Sequence, residues 1–437
     1  MNIPDFYKKY FRPGRISTDS RNIEKDMIFF ALKGDNFNGN IYAETALQKG
    51  ASVAVVDELY GEADARLIAV KDALIFLQDL AKYHRNTSEF NIIGLTGSNG
   101  KTTTKELIYS VISEKYSVQS TQGNLNNHVG VPLTLLSFKS DTQYGVVEMG
   151  ANHRGEINKL CEIAMPDCGL ITNIGRAHLE GFGSFEGVIR AKSEIFEYIK
   201  NHEGKMYGNG SDPLIRKIVG NYSNLIQYNS ENSLCTGRVI NSVPSLNAEI
   251  KAHTGENVTV KTHLVGDYNL INVLSAACIG LDLDIPLDLI KSAIEKYHPS
   301  NLRSQNLQIG SSTVLMDCYN ANPTSMELAL QNIANHNADK KVVILGAMKE
   351  LGKYSDEEHN KIASLTDQYG FQAVVLFGKE FLHNRPKKGI VTDSFDELTE
   401  YLNSINLDNS VILIKGSRAN KLERLEAIIR KHHSLNS

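Results

Sequence analysis

The chain has 437 residues, which is too long for a single hydrophobic core and predicts two or three domains. Its 46 basic and 50 acidic residues give a net charge of -4, and no basic stripe indicates a nucleic-acid-binding surface. No apolar run is long enough for a membrane span, and the first residues lack the apolar core of a secretion signal. The five cysteines lie far apart without a C-x-x-C pair, which favours reduced, mostly buried thiols. We therefore expect a cytoplasmic enzyme that acts on small molecules, binds no nucleic acid and has no membrane span.

The N-terminal part of the chain predicts a small α/β domain. Apolar runs at 28–34 and 51–57 alternate with a helix-like stretch at 43–49. The polar sequence STDSR at 17–21 precedes them and offers hydroxyls, a carboxylate and a guanidinium in a loop. On these residues alone, a solvated loop is more common than a ligand-binding one. A helix follows, and the polar run at 85–90 is typical of a linker.

The stretch IIGLTGSNGKTTTKEL at 92–107 predicts a phosphate-binding loop. An apolar run turns through glycines and resumes with helical spacing behind Lys101. Such a turn directs several backbone N–H groups and the positive end of a helix dipole at one point, which suits a polyphosphate. Lys101 adds a full charge, and Thr102 adds a hydroxyl that can reach a phosphate-bound Mg²⁺. The general nucleotide-loop pattern has glycine where this chain has Leu95, so we predict that backbone amides from Gly97 onward bind the phosphates.

The next elements predict a mostly parallel sheet. Strand-like runs at 144–150 and 168–175 are separated by a helical stretch, which gives right-handed crossovers. Ligands of such sheets bind at the carboxyl ends of the strands. Glu148 follows the first run, where a carboxylate can hold Mg²⁺ against phosphates, although a structural acid is the alternative. His178 follows the second run, and Lys192 lies in a helical segment. By themselves, these two residue types are more often packed or solvated than ligating.

The remaining segments predict an edge of antiparallel strands and then another α/β domain. Residues 246–253 and 257–264 alternate in twos, which is typical of antiparallel strands. From residue 300 onward, four apolar strands alternate with four helices, which predicts a doubly wound α/β domain. Two of these helices begin with capping-box chemistry: Ser355 with Glu358, and Ser394 with Glu397.

Taken in order, six segments resemble the Mur ligase family over nearly the whole chain. They are GSNGKTTTKE (97–106), GNLNNHVGVPLTLL (123–136), EMGANHRGEI (148–157), TNIGRAHLEGFGSFEGVIRAKSEIF (172–196), LVGDYNLINVLSAA (264–277) and DCYNANPTSM (317–326). Members of this family are ATP-dependent amide-bond ligases with three α/β domains. The resemblance implies a central P-loop ATPase domain with a mostly parallel sheet (89–299), flanked by a small N-terminal α/β domain that binds the UDP-substrate (1–88) and a C-terminal Rossmann-like α/β domain (300–437).

The resemblance also implies a reaction. It favours the type that joins D-alanyl-D-alanine to UDP-N-acetylmuramoyl-tripeptide through an acyl phosphate, with release of ADP and phosphate, in the synthesis of the peptidoglycan precursor. The implied cofactors are ATP and two Mg²⁺ ions, and we expect a monomer. The implied ATP-binding residues are Gly97, Ser98, Asn99, Gly100, Lys101, Thr102, Thr103, Asn269 and Asn272 on the adenine side, Arg303 near the γ-phosphate, and Asp317 from the third domain.

Further site residues follow from the same resemblance. The implied metal ligands are Thr102, Glu148, His178 toward a second ion, and Lys192 as the lysine that such ligases carbamylate with CO₂. Carbamylation turns a cation into an anion, which suits a site that holds two cations. The implied catalytic residues are Lys101, Glu148, His178, Lys192 and Arg303. The implied substrate-binding residues are Ser20, Arg21, Lys33 and Gly34 toward the uridine diphosphate end, and Asn126 and Asn127 in the central domain.

Two kinds of alternative remain open. The first is another ligase of the family, of the diamino-acid-adding or the folylpolyglutamate type. The chain has no DNPR motif expected of the diamino-acid ligases, whereas YNANPTSM at 319–326 favours the D-alanyl-D-alanine type. The second is a P-loop kinase or NTPase that uses the phosphate loop without forming an amide. Ala347 departs from the family, which usually has aspartate there, and this puts one contact from the third domain in doubt.

Overall fold

The structure is a computed structural model that describes residues 1–61, 63–242, 244–299 and 305–435. It has three α/β domains in chain order, each built on its own sheet. The N-terminal domain contains α1 (Ile3–Tyr10), β1 (Ile16–Ser17), β2 (Ile28–Phe30), β3 (Lys33–Gly34), β4 (Phe37–Asn38), α2 (Ala43–Gln48), β5 (Val53–Val56), β6 (Leu67–Ala69) and α3 (Ala73–Asn86). Its parallel sheet has the order β1-β2-β5-β6, and β3 and β4 form a separate hairpin.

The central domain has a nine-stranded sheet. Its elements are β7 (Asn91–Thr96), α4 (Lys101–Ile112), β8 (Val118–Ser120), α5 (Gly130–Ser137), β9 (Tyr144–Glu148), α6 (Glu156–Ala164), β10 (Cys168–Ile171), α7 (Leu179–Phe182), α8 (Phe185–Asn201), β11 (Lys205–Asn209), α9 (Pro213–Val219), β12 (Leu225–Tyr228), β13 (Cys235–Asn241), β14 (Asn247–Ala252), β15 (Asn257–Lys261), α10 (Asn269–Asp282) and α11 (Leu287–Lys296). The strand order is β15-β14-β13-β12-β11-β10-β7-β9-β8. The sheet is parallel from β8 to β13, and β14 and β15 add the predicted antiparallel edge.

The C-terminal domain has a six-stranded sheet. Its elements are β16 (Gln305–Ile309), β17 (Ser312–Asp317), α12 (Pro323–Ala334), β18 (Lys340–Gly346), α13 (Ser355–Tyr369), β19 (Ala373–Phe377), β20 (Gly389–Thr392), α14 (Phe395–Ser404), β21 (Ser410–Lys415) and α15 (Leu425–Leu435). The order is β16-β17-β21-β18-β19-β20, with only the edge pair β16 and β17 antiparallel within the described residues.

The central sheet is buried on both faces, which explains its continuous apolar runs. Along β7, Ile92 packs into one core while Ile93 and Leu95 pack into the other, as the two-residue period of a strand requires. One core lies under α4, α10 and α11. The other continues through α3 into the N-terminal domain, where it includes Phe6 and Leu77. Leu95 is therefore a core residue of the strand, and the phosphate loop begins only after Thr96.

The capping-box predictions for the C-terminal domain were wrong for Ser355 and half right for Ser394. A 3₁₀ turn runs directly into α13, so Ser355 is already helical and its side chain caps nothing. Glu358 turns instead toward Arg176 of the central domain. The Ser394 side chain does accept from the Glu397 amide, but the Glu397 carboxylate accepts from Thr392.

The five cysteines are free thiols, and all but Cys168 are buried, which confirms the prediction of unlinked and mostly buried cysteines. Within the described residues, no helix combines the length and the apolar character needed to cross a bilayer.

Acid is expected to destabilise the protein partly through His84, which joins the N-terminal and central domains. Its Nε2 donates to the Phe138 carbonyl at 3.1 Å, and its Nδ1 accepts from the Tyr7 hydroxyl at 2.9 Å, so the ring is held neutral. Burial lowers the pKa of His84 below its usual value of 6.5. As the pH falls through 6.5, His84 of the unfolded chain takes up a proton more readily than the buried His84 of the folded protein. The free energy of unfolding therefore falls as the pH is lowered.

Chemical denaturation between pH 7 and 5 measures this effect. His84→Gln, which does not titrate, should flatten the pH dependence, whereas the same change at the exposed His253 should leave it unaltered. Equal slopes for wild type and His84→Gln would contradict the assignment.

Candidate active site

The phosphate loop depends on two glycines whose backbone and surroundings exclude a side chain. Gly97 has φ +153° and Gly100 has φ +76°. A Cβ on Gly97 would lie 1.9 Å from Thr172 Oγ1, and one on Gly100 would lie 2.7 Å from Asn272 Oδ1. The chain can therefore turn sharply from β7 into α4 and keep neighbouring residues in close contact.

The segment that follows β10 holds the phosphate loop in shape. Asn99 N donates to Asn173 Oδ1 at 3.0 Å, and the Asn99 carbonyl accepts from Thr172 Oγ1 at 2.7 Å and from Asn173 Nδ2 at 2.9 Å. Ser98 N donates to the Asn173 carbonyl at 3.0 Å. Lys101 folds back over the same loop, and its Nζ donates to the Gly97 carbonyl at 2.8 Å. The loop is thus fixed by contacts from an adjacent strand end.

Glu148 lies where a metal held against phosphates would need an oxygen ligand. It ends β9, the neighbour of β7, and its side chain is only 1% exposed. One carboxylate oxygen accepts from Thr102 Oγ1 at 2.8 Å and the other from Asn126 Nδ2 at 2.7 Å. The sequence separates Thr102 from Glu148 by 46 positions, and the strand order brings them together.

The oxygen ligands that Thr102 and Glu148 can offer fit Mg²⁺. Among the described residues, no group of three or more His, Cys, Asp or Glu side chains forms a metal-binding cluster. Mg²⁺ does not need one, because it usually keeps several waters and binds through one or two carboxylates together with substrate phosphates. Thr102 and Glu148 supply a hydroxyl and a carboxylate next to the phosphate loop, where a phosphate-bound Mg²⁺ would lie.

His178 connects the central domain to the C-terminal domain. It has a left-handed backbone with φ +52° immediately before α7, and its Nδ1 contacts the Glu350 carboxylate. This hydrogen bond lowers the pKa of Glu350 below its usual value. Glu350 was not predicted as a site residue, since the sequence gives no sign that the two domains meet here.

Lys192 is a buried lysine whose amine is easily made neutral. Its side chain is 1% exposed on α8, with Nζ 5.5 Å from the centroid of the Phe182 ring. Burial, and after it the charge of Lys101, lowers the pKa of Lys192 from 10.5 to about 7.

The two predicted adenine-side asparagines lie at the start of α10 and are buried. Asn269 Nδ2 donates to the Val265 carbonyl at 2.7 Å, and its Oδ1 accepts from Asn272 Nδ2 at 2.8 Å. Asn272 Oδ1 accepts from Thr104 Oγ1 at 3.1 Å, which ties α10 to α4. Each amide therefore has a fixed orientation beside the phosphate loop.

The C-terminal domain contributes an ion pair of which only one member, Asp317, was predicted from the sequence. Asp317 and Lys415 are register partners at the ends of β17 and β21, and Lys415 Nζ lies 2.5 Å from Asp317 Oδ2. Lys415 is 2% exposed and was missed as a site residue. A signal existed, because a charged residue that ends the apolar run SVILIKG lies where ligands of α/β sheets bind. Arg303, predicted near the γ-phosphate, lies outside the described residues.

A cavity of about 880 Å³ gathers most of the predicted residues. Its wall includes Ser98, Asn99, Gly100, Lys101, Thr103, Asn126, Asn127, Glu148, His178, Asn269, Asn272 and Asp317, together with the unpredicted Glu350 and Lys415. Gly97, Thr102 and Lys192 are not part of this wall as far as the described residues show, although Thr102 contacts Glu148 directly. Asn127 Oδ1 also accepts from the amide of Gly130, the first residue of α5, at 2.8 Å.

The four residues predicted to hold the uridine diphosphate end lie in the N-terminal domain and outside this cavity wall. Arg21 pairs with Asp19 at 2.8 Å, in the 3₁₀ turn that Ser20 begins. Lys33 Nζ is 3.2 Å from both Asp57 and Glu58, and Gly34 lies against the Phe37 ring. A phosphate bound here would compete with these carboxylates for the cations.

Comparison with known proteins identifies the class of protein that this fold and cavity define. Three family profiles match in order: "Mur ligase family, catalytic domain" over 14–85, "Mur ligase middle domain" over 95–280, and "Mur ligase, glutamate ligase domain" over 303–418. The chain belongs to the Mur ligase family. The predicted three-domain α/β fold with a mostly parallel central sheet is confirmed.

Individual relatives and solved structures show which members of the family this chain is similar to. The chain is 34% identical to the UDP-N-acetylmuramoyl-tripeptide--D-alanyl-D-alanine ligase of Treponema pallidum, over 95% of this chain and 94% of that one. A crystal structure of MurF from Acinetobacter baumannii matches with a TM-score of 0.87 and 32% identity, covering 95% of this chain and 93% of that one. MurF from Thermotoga maritima in complex with ADP matches with a TM-score of 0.87 and 28% identity, covering 97% and 98% of the two chains.

Proposed function

We propose that this protein is an ATP-dependent ligase that joins D-alanyl-D-alanine to UDP-N-acetylmuramoyl-tripeptide. The observation that carries the proposal is the cavity in which the phosphate loop and Glu148 of the central domain face Asp317 and Lys415 of the C-terminal domain. Relatives with this named activity match nearly the whole chain. The domain limits 1–88, 89–299 and 300–437 are part of the proposal.

In the first step, the terminal carboxylate of the tripeptide attacks the γ-phosphorus of ATP. The bond to the β-phosphate oxygen breaks, ADP leaves, and an acyl phosphate forms. Lys101 and the amides of the phosphate loop stabilise the charge on the transferring group, and Arg303 is proposed to assist from the start of the C-terminal domain. Activation is needed because a carboxylate has no oxygen that can leave at neutral pH.

In the second step, the free amine of D-alanyl-D-alanine attacks the acyl carbon. A tetrahedral intermediate forms, the amine loses a proton, and inorganic phosphate leaves as the amide forms. The acyl phosphate is readily hydrolysed, so water must be excluded. Contacts from the C-terminal domain to the phosphate loop, such as Asn322 Nδ2 to Asn99 Oδ1 at 2.7 Å, support closure of the cavity during the reaction.

Two Mg²⁺ ions are proposed in this cavity. Thr102 and Glu148 would hold one and His178 would face the second, and the ions would neutralise phosphate charge. Lys192 is proposed as a carbamate: its neutral amine attacks CO₂, a C–N bond forms, and a proton is released to solvent. The low pKa of Lys192 supports this step, since a neutral amine is the required nucleophile.

The remaining assignments complete the proposal. The N-terminal residues Ser20, Arg21, Lys33 and Gly34 would hold the uridine diphosphate end, and Asn126 and Asn127 would face the peptide. We propose a monomer that works in the cytoplasm, where ATP and nucleotide-linked precursors are available.

Phosphate release by the purified protein tests the function. With ATP and Mg²⁺, release is expected only when both UDP-N-acetylmuramoyl-tripeptide and D-alanyl-D-alanine are present, with one amide formed per phosphate. Mass spectrometry of the product checks the stoichiometry. Steady hydrolysis with neither substrate would instead indicate an NTPase, and activity with a diamino acid and a dipeptide precursor would indicate another ligase of the family.

A further inference from the structure

Arg176 connects the central domain to two helices of the C-terminal domain. It lies in the segment between β10 and α7, and its guanidinium Nη2 donates to Glu327 Oε1 on α12 at 2.5 Å. Its Nε is 3.1 Å from Glu358 Oε1 on α13, as an ion pair without hydrogen-bond alignment. We call Arg176, Glu327 and Glu358 the Arg176 cluster. Lys361 adds a second cation, 2.8 Å from Glu327.

The backbone beside Arg176 also contacts the phosphate loop. Ser98 Oγ donates to the Gly175 carbonyl at 3.0 Å and accepts from the Gly175 amide at 2.9 Å. The next amide, that of Arg176, donates to Thr324 Oγ1 on α12 at 2.9 Å. One short segment therefore touches the phosphate loop with one residue and the C-terminal domain with the next.

In the Arg176 cluster, the charge of the buried Glu358 carboxylate is stabilised by Arg176. The Glu358 side chain is only 7% exposed, and burial raises the pKa of its carboxyl. Without Arg176, the Glu358 carboxylate would remain buried between the central and C-terminal domains and would lack its nearest cation. Its unpaired charge would disfavour the packing of α13 against the central domain. The Arg176 side chain itself lies outside the phosphate loop and does not line the described cavity wall.

We propose that Arg176 is a positioning residue whose ion pairs with Glu327 and Glu358 hold the C-terminal domain against the phosphate loop. This inference rests on the proposed ligase function for its activity readout. The Arg176 cluster favours the closed arrangement, in which Asp317 and Lys415 face the nucleotide. Arg176 does not touch the reacting atoms, so its loss should lower turnover more than nucleotide binding.

Steady-state kinetics of Arg176→Met separate these effects. We expect kcat for amide formation to fall about tenfold while the KM for ATP changes less than about twofold, since coupling residues of this kind typically shift an equilibrium by 2- to 30-fold. Glu327→Gln should act in the same direction. Arg190→Met is the matched control, because Arg190 pairs only with Glu186 on its own helix among the described contacts. An unchanged kcat for Arg176→Met would overturn the proposal.

Small-angle X-ray scattering supplies a readout that does not depend on the ligase reaction. With a non-hydrolysable ATP analogue and Mg²⁺, Arg176→Met should have a larger radius of gyration than wild type or Arg190→Met. Partial return of kcat and compaction in Arg176→Glu combined with Glu327→Arg would support direct pairing. Equal compaction in all variants would overturn the proposal even if kcat falls. If wild type forms no amide, the proposed function is wrong. The scattering comparison still decides whether Arg176 holds the C-terminal domain against the central domain.

Discussion

Replacing Lys192 by methionine is expected to lower kcat for amide formation by about 10²- to 10³-fold, the range typical for loss of one preorganised electrostatic group. Methionine fills a similar volume, so the packing of α8 against Phe182 should survive. What disappears is the amine whose pKa of about 7 allows a neutral fraction at physiological pH. Without that amine no carbamate forms, and the site keeps one anion fewer for its two proposed cations.

Carbon-13 NMR with labelled bicarbonate measures the modification directly. Wild type should show a carbamate signal that is absent from Lys192→Met, and stripping CO₂ from wild type should lower its activity until bicarbonate is restored. Lys205→Met is the matched control, because Lys205 pairs with Asp282 at the far end of α10. Full activity in Lys192→Met, or activity of wild type that is indifferent to CO₂, would contradict the carbamate.

The charge distribution explains why Lys192 needs such chemistry. After burial, the charge of Lys101 lowers the pKa of Lys192, while Glu194, Glu156 and Glu148, in that order, act in the opposite direction. Two lysines beside Glu148 reduce the negative charge that is available to two further dications. Conversion of one lysine to an anion changes that balance without altering the packing of α8.

Local sequence patterns were sufficient to predict those parts of the site that depend on neighbours along the chain. The glycines of the phosphate loop, Lys101 and Thr102 follow from one strand–turn–helix segment. Glu148 was also predictable, because adjacent parallel strands place their carboxyl ends at one edge of a sheet. Strands and helices were distinguishable here, because strands buried on both faces are short, continuous apolar runs, whereas helices are longer and carry a polar side.

Contacts that depend on strand order or on how domains meet were not predictable from the sequence. Lys415 reaches Asp317 across 98 positions, because β21 lies between β17 and β18 in the sheet. Glu358 carries a capping-box pattern, yet a contact with Arg176 of another domain takes its carboxylate away from the helix start. In both cases a tertiary ion pair decides the role of the side chain, and local spacing contains no information about it.

The second large effect is expected for Glu148→Gln, which should raise the Mg²⁺ concentration needed for half-maximal activity about 10- to 100-fold. The glutamine amide has nearly the shape of the carboxylate and can still accept from Thr102 or Asn126, so the fold should persist. It offers Mg²⁺ a neutral oxygen in place of a charged one.

Magnesium titrations of phosphate release, made with both substrates present, separate this metal effect from a loss of stability. Asp282→Asn is the matched control: Asp282 is also a largely buried carboxylate, and it accepts from Lys205 Nζ and Tyr207 Oη, each at 2.6 Å. It ends α10, about 20 Å along the helix from Asn269, given a rise of about 1.5 Å per residue. Both variants should lose stability, but only Glu148→Gln should shift the magnesium dependence. An unchanged titration in Glu148→Gln would leave its carboxylate with a purely structural role, as the acceptor that fixes Thr102 and Asn126.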